Sequence, residues 1–180
     1  MDLVAAVRIC PGLSTVRLKS ATGIAAPTTM AVLPPVEFGV KVARPPEEVF
    51  AFLQRWDRQW EWMEGIIEAR PLTPGFGLGT VCRKVRRTAQ GDVTFDLKVV
   101  ALDHDAMWWE DEIMTGPNRG TRSKWRVQPE GPGSIVLIEV ALRTSGFRAL
   151  TKASAREALE NEMKTSLDRL KHKLEVPTPS

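Results

Sequence analysis

The sequence predicts an α+β domain in which a curved antiparallel β-sheet wraps around one long C-terminal α-helix, with two short helices after the first strand. Three observations predict it. Short alternating runs, separated by Gly, Pro, Asn and Asp turns, recur from Val36 to Arg143. Two brief helical patterns sit between the first of these runs and the rest. A stripe of Leu159, Met163, Leu167, Leu170 and Leu174 then repeats at intervals of three and four, the mark of one helix face.

Val36, Phe38, Val40 and Val42 alternate with polar or small residues, giving a first strand over Val36 to Ala43. Pro45-Pro46 ends it and presets a helix start, with Glu47 and Glu48 where the helix dipole favours acids. Val49, Phe50, Phe52 and Leu53 give that helix an apolar side. Trp56, Trp60 and Met63, at spacings of four and three, predict a second short helix that ends at Gly65.

Strands follow over Ile66 to Arg70, Thr80 to Arg87, Val93 to Leu102, Ala106 to Met114, Gly120 to Gln128 and Ser134 to Arg143. In the third of these, Val93, Phe95, Leu97, Val99 and Ala101 line one face. In the last, Val136, Ile138, Val140 and Leu142 are the more uniformly apolar face, so Glu139 is expected outside. The final helix spans roughly Phe147 to Glu175; a capping signal at Ser154 and Glu157 allows a later start near Ala155, and Glu160 and Lys164 form an i,i+4 pair.

Residues 1–35 differ in kind, with four prolines and one acid, Asp2. They read as a disordered or extended tail, or as an artefact of a true start at Met30, ahead of targeting. The domain is assigned to residues 36–176, and 177–180 to a short tail.

Of 180 residues, 43% are hydrophobic and 26% charged, the balance of a soluble globular protein, which excludes collagen-like and low-complexity chains. No stretch approaches the roughly 18 apolar residues of a membrane span. A net charge of +3 is too small a surplus for a nucleic-acid-binding surface. Cys10 and Cys82 form no CxxC pair, so a reducing, cytoplasmic setting is expected. His104 and His172 are far apart with no metal-ligand spacing, so neither metal nor cofactor is expected.

Several motifs in order carry a family resemblance: Pro45 to Phe50 at a helix start, Trp56 or Trp60 in the second short helix, Gly77-Leu78-Gly79-Thr80 entering a strand, and Leu167, Leu170 and Leu174 in the last helix. From about Val36 to Leu174 the chain resembles the START-like, or SRPBCC, superfamily, of the polyketide cyclase/dehydrase type. The resemblance implies a helix-grip fold that binds a small hydrophobic or amphipathic molecule between helix and sheet. Its members include lipid and hormone carriers and cyclase/aromatases, so catalysis does not follow from it.

Trp60, Phe95, Leu97, Trp109, Met163 and Leu167 are the expected pocket walls. Among the acids after Trp108-Trp109, alternation puts Trp109, Asp111 and Ile113 on one face and Glu110 and Glu112 on the other. Either one carboxylate enters the cavity, where burial would raise its pKa, or the acids pair with basic neighbours on the wet face. The second is the weightier expectation. Arg83, Lys84, Arg86 and Arg87 are likewise expected to be compensated across the sheet, Cys82 to be a buried structural thiol, and both histidines to lie at the surface.

Overall fold

Seven strands follow one another by antiparallel pairing with a single return, and this is what curls the sheet. The structure, a computed structural model, describes residues 31–32, 34–144 and 152–176. Among these, the elements are β1 (Ala31–Val32), β2 (Val36–Val42), α1 (Pro46–Leu53), a 3₁₀ helix (Trp56–Glu61), β3 (Ile66–Pro71), β4 (Val81–Thr88), β5 (Gly91–Asp103), β6 (Trp108–Ile113), β7 (Arg122–Glu130), β8 (Gly133–Ala141), β9 (Arg143–Thr144) and α2 (Lys152–Glu175). The large sheet has the order β2-β8-β7-β6-β5-β4-β3, so the first strand closes against the last long one. The pair β1-β9 extends that end. Residues 1–30, the helix start expected near Phe147, and residues 177–180 lie outside the described residues.

The β2–β8 closure requires a close approach. A side chain on Gly133 would place its Cβ 2.3 Å from the Val42 carbonyl oxygen, so only glycine fits there. On β8, Val136, Ile138 and Val140 are buried and Glu139 lies on the opposite, convex face, as the alternation predicts.

Two expectations need correcting. The second short helix is 3₁₀, not α, so its inward positions recur every three residues. Trp56, Gln59 and Trp62 are the buried set, and Trp60 turns outward, 54% exposed. On β5 a bulge between Val99 and Ala101 reverses the alternation. Leu102 then pairs with the inward Trp109, and Ala101 pairs with the outward Glu110.

The last helix crosses the concave face with Met163, Leu167 and Leu170 buried. Its C-terminal half is held at several points. Arg44 Nε donates to the Leu174 carbonyl at 2.9 Å, Glu175 accepts from the Ala43 amide at 2.8 Å, and Lys173 pairs with Glu61 at 2.7 Å. Midway, the Ser166 hydroxyl accepts from the Glu64 amide at 2.9 Å. The helix is already formed at Lys152, ahead of the start that the Ser154 signal would give, and Glu160 pairs with Arg156, not Lys164, at 2.7 Å.

Candidate functional site

Aromatic residues fill one end of the space between sheet and helix. The rings of Trp109 and Trp125, cross-strand partners on β6 and β7, stack with centroids 5.5 Å apart and 9° between planes. Phe50, Phe76 and Trp62 pack on this pair at 5.4 to 6.0 Å. Phe76 belongs to the turn that precedes β4, where the Thr80 hydroxyl accepts from the Gly77 amide at 2.9 Å. The Gly-x-Gly-Thr run therefore builds part of the aromatic plug, as a turn.

Beyond the plug the space is not filled. A cavity of about 260 Å³ remains, walled by β4 to β8 and covered by Leu159, Glu162 and Met163 of α2. Gln90, Pro117 and Asn118 are exposed and form its rim. Its apolar walls include Phe95, Leu97, Ile138 and Val140. Of the predicted wall residues, Phe95, Leu97 and Met163 therefore line this space. Trp109 and Leu167 are buried behind it, in the plug and under the helix, and Trp60 is on the outer surface. Trp125, not among the expected walls, is the indole that lines it.

Polar groups gather at the inner end. Lys84, 2% exposed, donates from Nζ to Oε1 of the buried Gln59, and Nζ lies 5.0 Å from the centroid of the Trp56 ring. Burial pushes its pKa down to about 8, against the opposing pull of Asp111. Asp111, 3% exposed, accepts from Trp109 Nε1 at 3.1 Å and is also bonded by the Trp125 side chain. Its pKa is pushed up to about 6, again by burial first, with Lys84 and the two indoles opposing. Both groups are thus shifted toward their neutral forms, and among the described residues neither is in an ion pair.

A second pair spans the cavity from sheet to helix. Arg86 Nη1 meets Glu162 Oε2 at 2.7 Å, and burial raises the Glu162 pKa despite the arginine. Arg86 Nε is buried without a hydrogen-bond partner among the described residues.

The expectation that the acids of β6 and the bases of β4 all compensate each other on the wet face is therefore half right. Glu110 and Glu112 do so, through Arg122 at 3.2 and 2.8 Å, and Arg83 meets Asp96 at 2.8 Å. Asp111, Lys84 and Arg86 do not. Val81 and Val85, the valines of β4, take the convex phase and leave Cys82, Lys84 and Arg86 facing inward. Only the pairing of Lys84 opposite Phe95, and of Cys82 opposite Leu97, reveals that phase. Cys82 is fully buried with its thiol pKa raised by burial, and His104 and His172 are exposed.

The fold matches known proteins. A family model described as polyketide cyclase / dehydrase and lipid transport matches residues 35–175. Among solved structures, the chain resembles TTHA0849 from Thermus thermophilus, with TM-score 0.69 and 15% identity over 78% of this chain and 97% of that one. It also resembles a START superfamily protein from Mycobacterium smegmatis, with TM-score 0.68 and 12% identity over 78% and 96%. A third likeness is Ara h 8.0201, with TM-score 0.63 and 14% identity over 81% and 98%. No curated protein sequence matches the chain. No helix among the described residues is long and apolar enough to cross a membrane. With the family match running from the residue before β2 to the end of α2, and the grip of sheet on helix shared with these structures, the chain belongs to the polyketide cyclase / dehydrase and lipid transport family.

Proposed function

We propose that the domain binds a small hydrophobic or amphipathic molecule in the cavity beneath α2, within the cytoplasm. The observation that carries this is the space itself: about 260 Å³, mostly apolar, with the buried Lys84, Asp111 and Gln59 among its lining. That volume is near the lower end, roughly 300 Å³, of small-molecule sites, and the distribution of polarity is theirs. Phe95, Leu97 and Met163 hold the apolar body of the ligand. Lys84 and the free Nε–H of Arg86 donate to an oxygen on its head, and Trp109 and Leu167 support the walls from behind.

Fluorescence titration tests the proposal, because Trp125 is on the wall. A planar polycyclic phenol is expected to quench tryptophan emission saturably, and Leu97→Trp, which fills the cavity, to weaken binding at least tenfold. Indifference across a panel of polycyclic, acyl-chain and isoprenoid ligands would overturn it.

A second reading is a cyclase/aromatase-type enzyme acting on a polyketide-like substrate. It is favoured by Lys84 and Asp111, two cavity groups whose pKa values of about 8 and about 6 bracket neutrality. Turnover of a poly-β-ketone that is lost in Asp111→Asn, with binding retained, would select it.

A further inference from the structure

We infer that Lys84 captures carbonyl ligands covalently, condensing with an aldehyde or ketone in the cavity to form an imine, with Asp111 carrying the protons. The inference rests on the cavity being a ligand site and adds the chemical class of ligand.

Lys84 is placed unlike a lysine that serves only the fold. Lysines normally extend their stems so that the ammonium reaches water, or they pair with a carboxylate when buried. Lys84 does neither. It starts from the inner face of β4 opposite Phe95, points to the concave side, and is 2% exposed. Its hydrogen-bond partner is a neutral amide, Gln59, and it stands over the face of Trp56. Lys84 nevertheless lines the cavity, whose rim is formed by exposed residues.

The nucleophile in imine formation is the neutral amine. With the Lys84 pKa near 8, about one amine in ten is unprotonated at pH 7, against about one in three thousand for an ordinary lysine at 10.5. The nitrogen lone pair attacks the carbonyl carbon, a C–N bond forms, and the carbonyl π electrons move to oxygen. Asp111, in the same cavity, takes the proton from nitrogen and delivers one to oxygen, giving the carbinolamine. Asp111 then carries the remaining proton from nitrogen to the hydroxyl, which leaves as water while the electron pair freed on nitrogen closes the C=N bond. One amine and one carbonyl give one imine and one water, so no oxidant, reductant or other co-reactant is needed. The Asp111 carboxyl is suited to both transfers because its two indole donors fix it while burial keeps its proton affinity near neutrality.

The test uses 2-naphthaldehyde as the probe. The full-length protein is incubated with it at pH 7, with and without sodium cyanoborohydride, which reduces the imine to a stable secondary amine. Labelled lysines are mapped by peptide mass spectrometry, and tryptophan quenching is followed in the sample without reductant. Lys84 is expected to be labelled at least tenfold faster than exposed lysines such as Lys41 and Lys164, and Lys84→Met to lose that label alone. Saturable quenching with Lys84 labelled no faster than Lys41 would overturn the imine and leave the binding proposal standing. Absence of both quenching and Lys84 labelling would overturn the two together. Mapping of the native chain decides the matter even if Lys84→Met does not fold.

Discussion

On the convex face of the sheet, Arg122 reaches Glu110 and Glu112 with 55% of its side chain still exposed, and Arg83 holds the Asp96 carboxyl below its ordinary pKa by direct hydrogen bonding. One residue away along the same strands, on the concave face, Lys84 and Asp111 are almost wholly buried and displaced toward neutrality. Both faces carry acids and bases on β4 and its neighbours in the sheet. What differs is solvent. Outside, water screens each charge and each pair contributes little. Inside, the loss of hydration exceeds what the nearest opposite charge returns.

The largest effect expected from breaking this contrast is at Asp111. Asp111→Ala leaves two indole N–H groups without their acceptor and Lys84 without its main favourable charge, at a cost on the order of 3–5 kcal/mol. Urea unfolding at pH 7 measures it, and a loss below about 1 kcal/mol would mean that the buried carboxyl is not integrated as described.

The next effect is a pH dependence with two limbs. Lys84 has its folded pKa lowered from 10.5 to about 8, so between these values the unfolded chain binds more protons and stability rises with pH. Asp111 has its folded pKa raised from 3.8 to about 6, so there the folded chain binds more protons and stability falls as pH rises. Each limb amounts to about 3 kcal/mol at 1.36 kcal/mol per pH unit. The groups facing Lys84 are Asp111 from β6 and Cys82 and Arg86 from β4, with Glu162 of α2 paired to Arg86. Lys84→Met should flatten the alkaline limb and Asp111→Asn the acidic one. A slope of unchanged size in either variant would assign that limb to another group.

The smallest effect belongs to the convex face. Arg122→Ala is expected to cost less than about 1 kcal/mol, and less again in molar salt. Equal costs for Arg122→Ala and Asp111→Ala would erase the distinction between the faces.

The strand order, the turns and the helix stripe were legible because each is written in local periodicity. Val136, Ile138 and Val140 declare their face, and Met163, Leu167 and Leu170 declare theirs. The candidate site was only partly legible. Phe95, Leu97 and Met163 lie on the cavity wall, but Trp60 does not, since an α repeat and a 3₁₀ repeat over so few residues place different indoles inside. Asp111 was one of two readings, and Lys84 was expected to be compensated across the sheet, because the inward phase of β4 shows only in its pairing with β5.

The amino-acid order by itself determined the elements and the family, because hydrophobic spacing and turn chemistry act between near neighbours in the chain. Tertiary structure alone decided which face of β4 looks inward, where the β5 bulge reverses the pattern, and how far the stacked indoles fill the space under α2. Those depend on pairing between strands and on packed volume. A charged residue becomes a buried, shifted one only when partners distant in the chain remove its water.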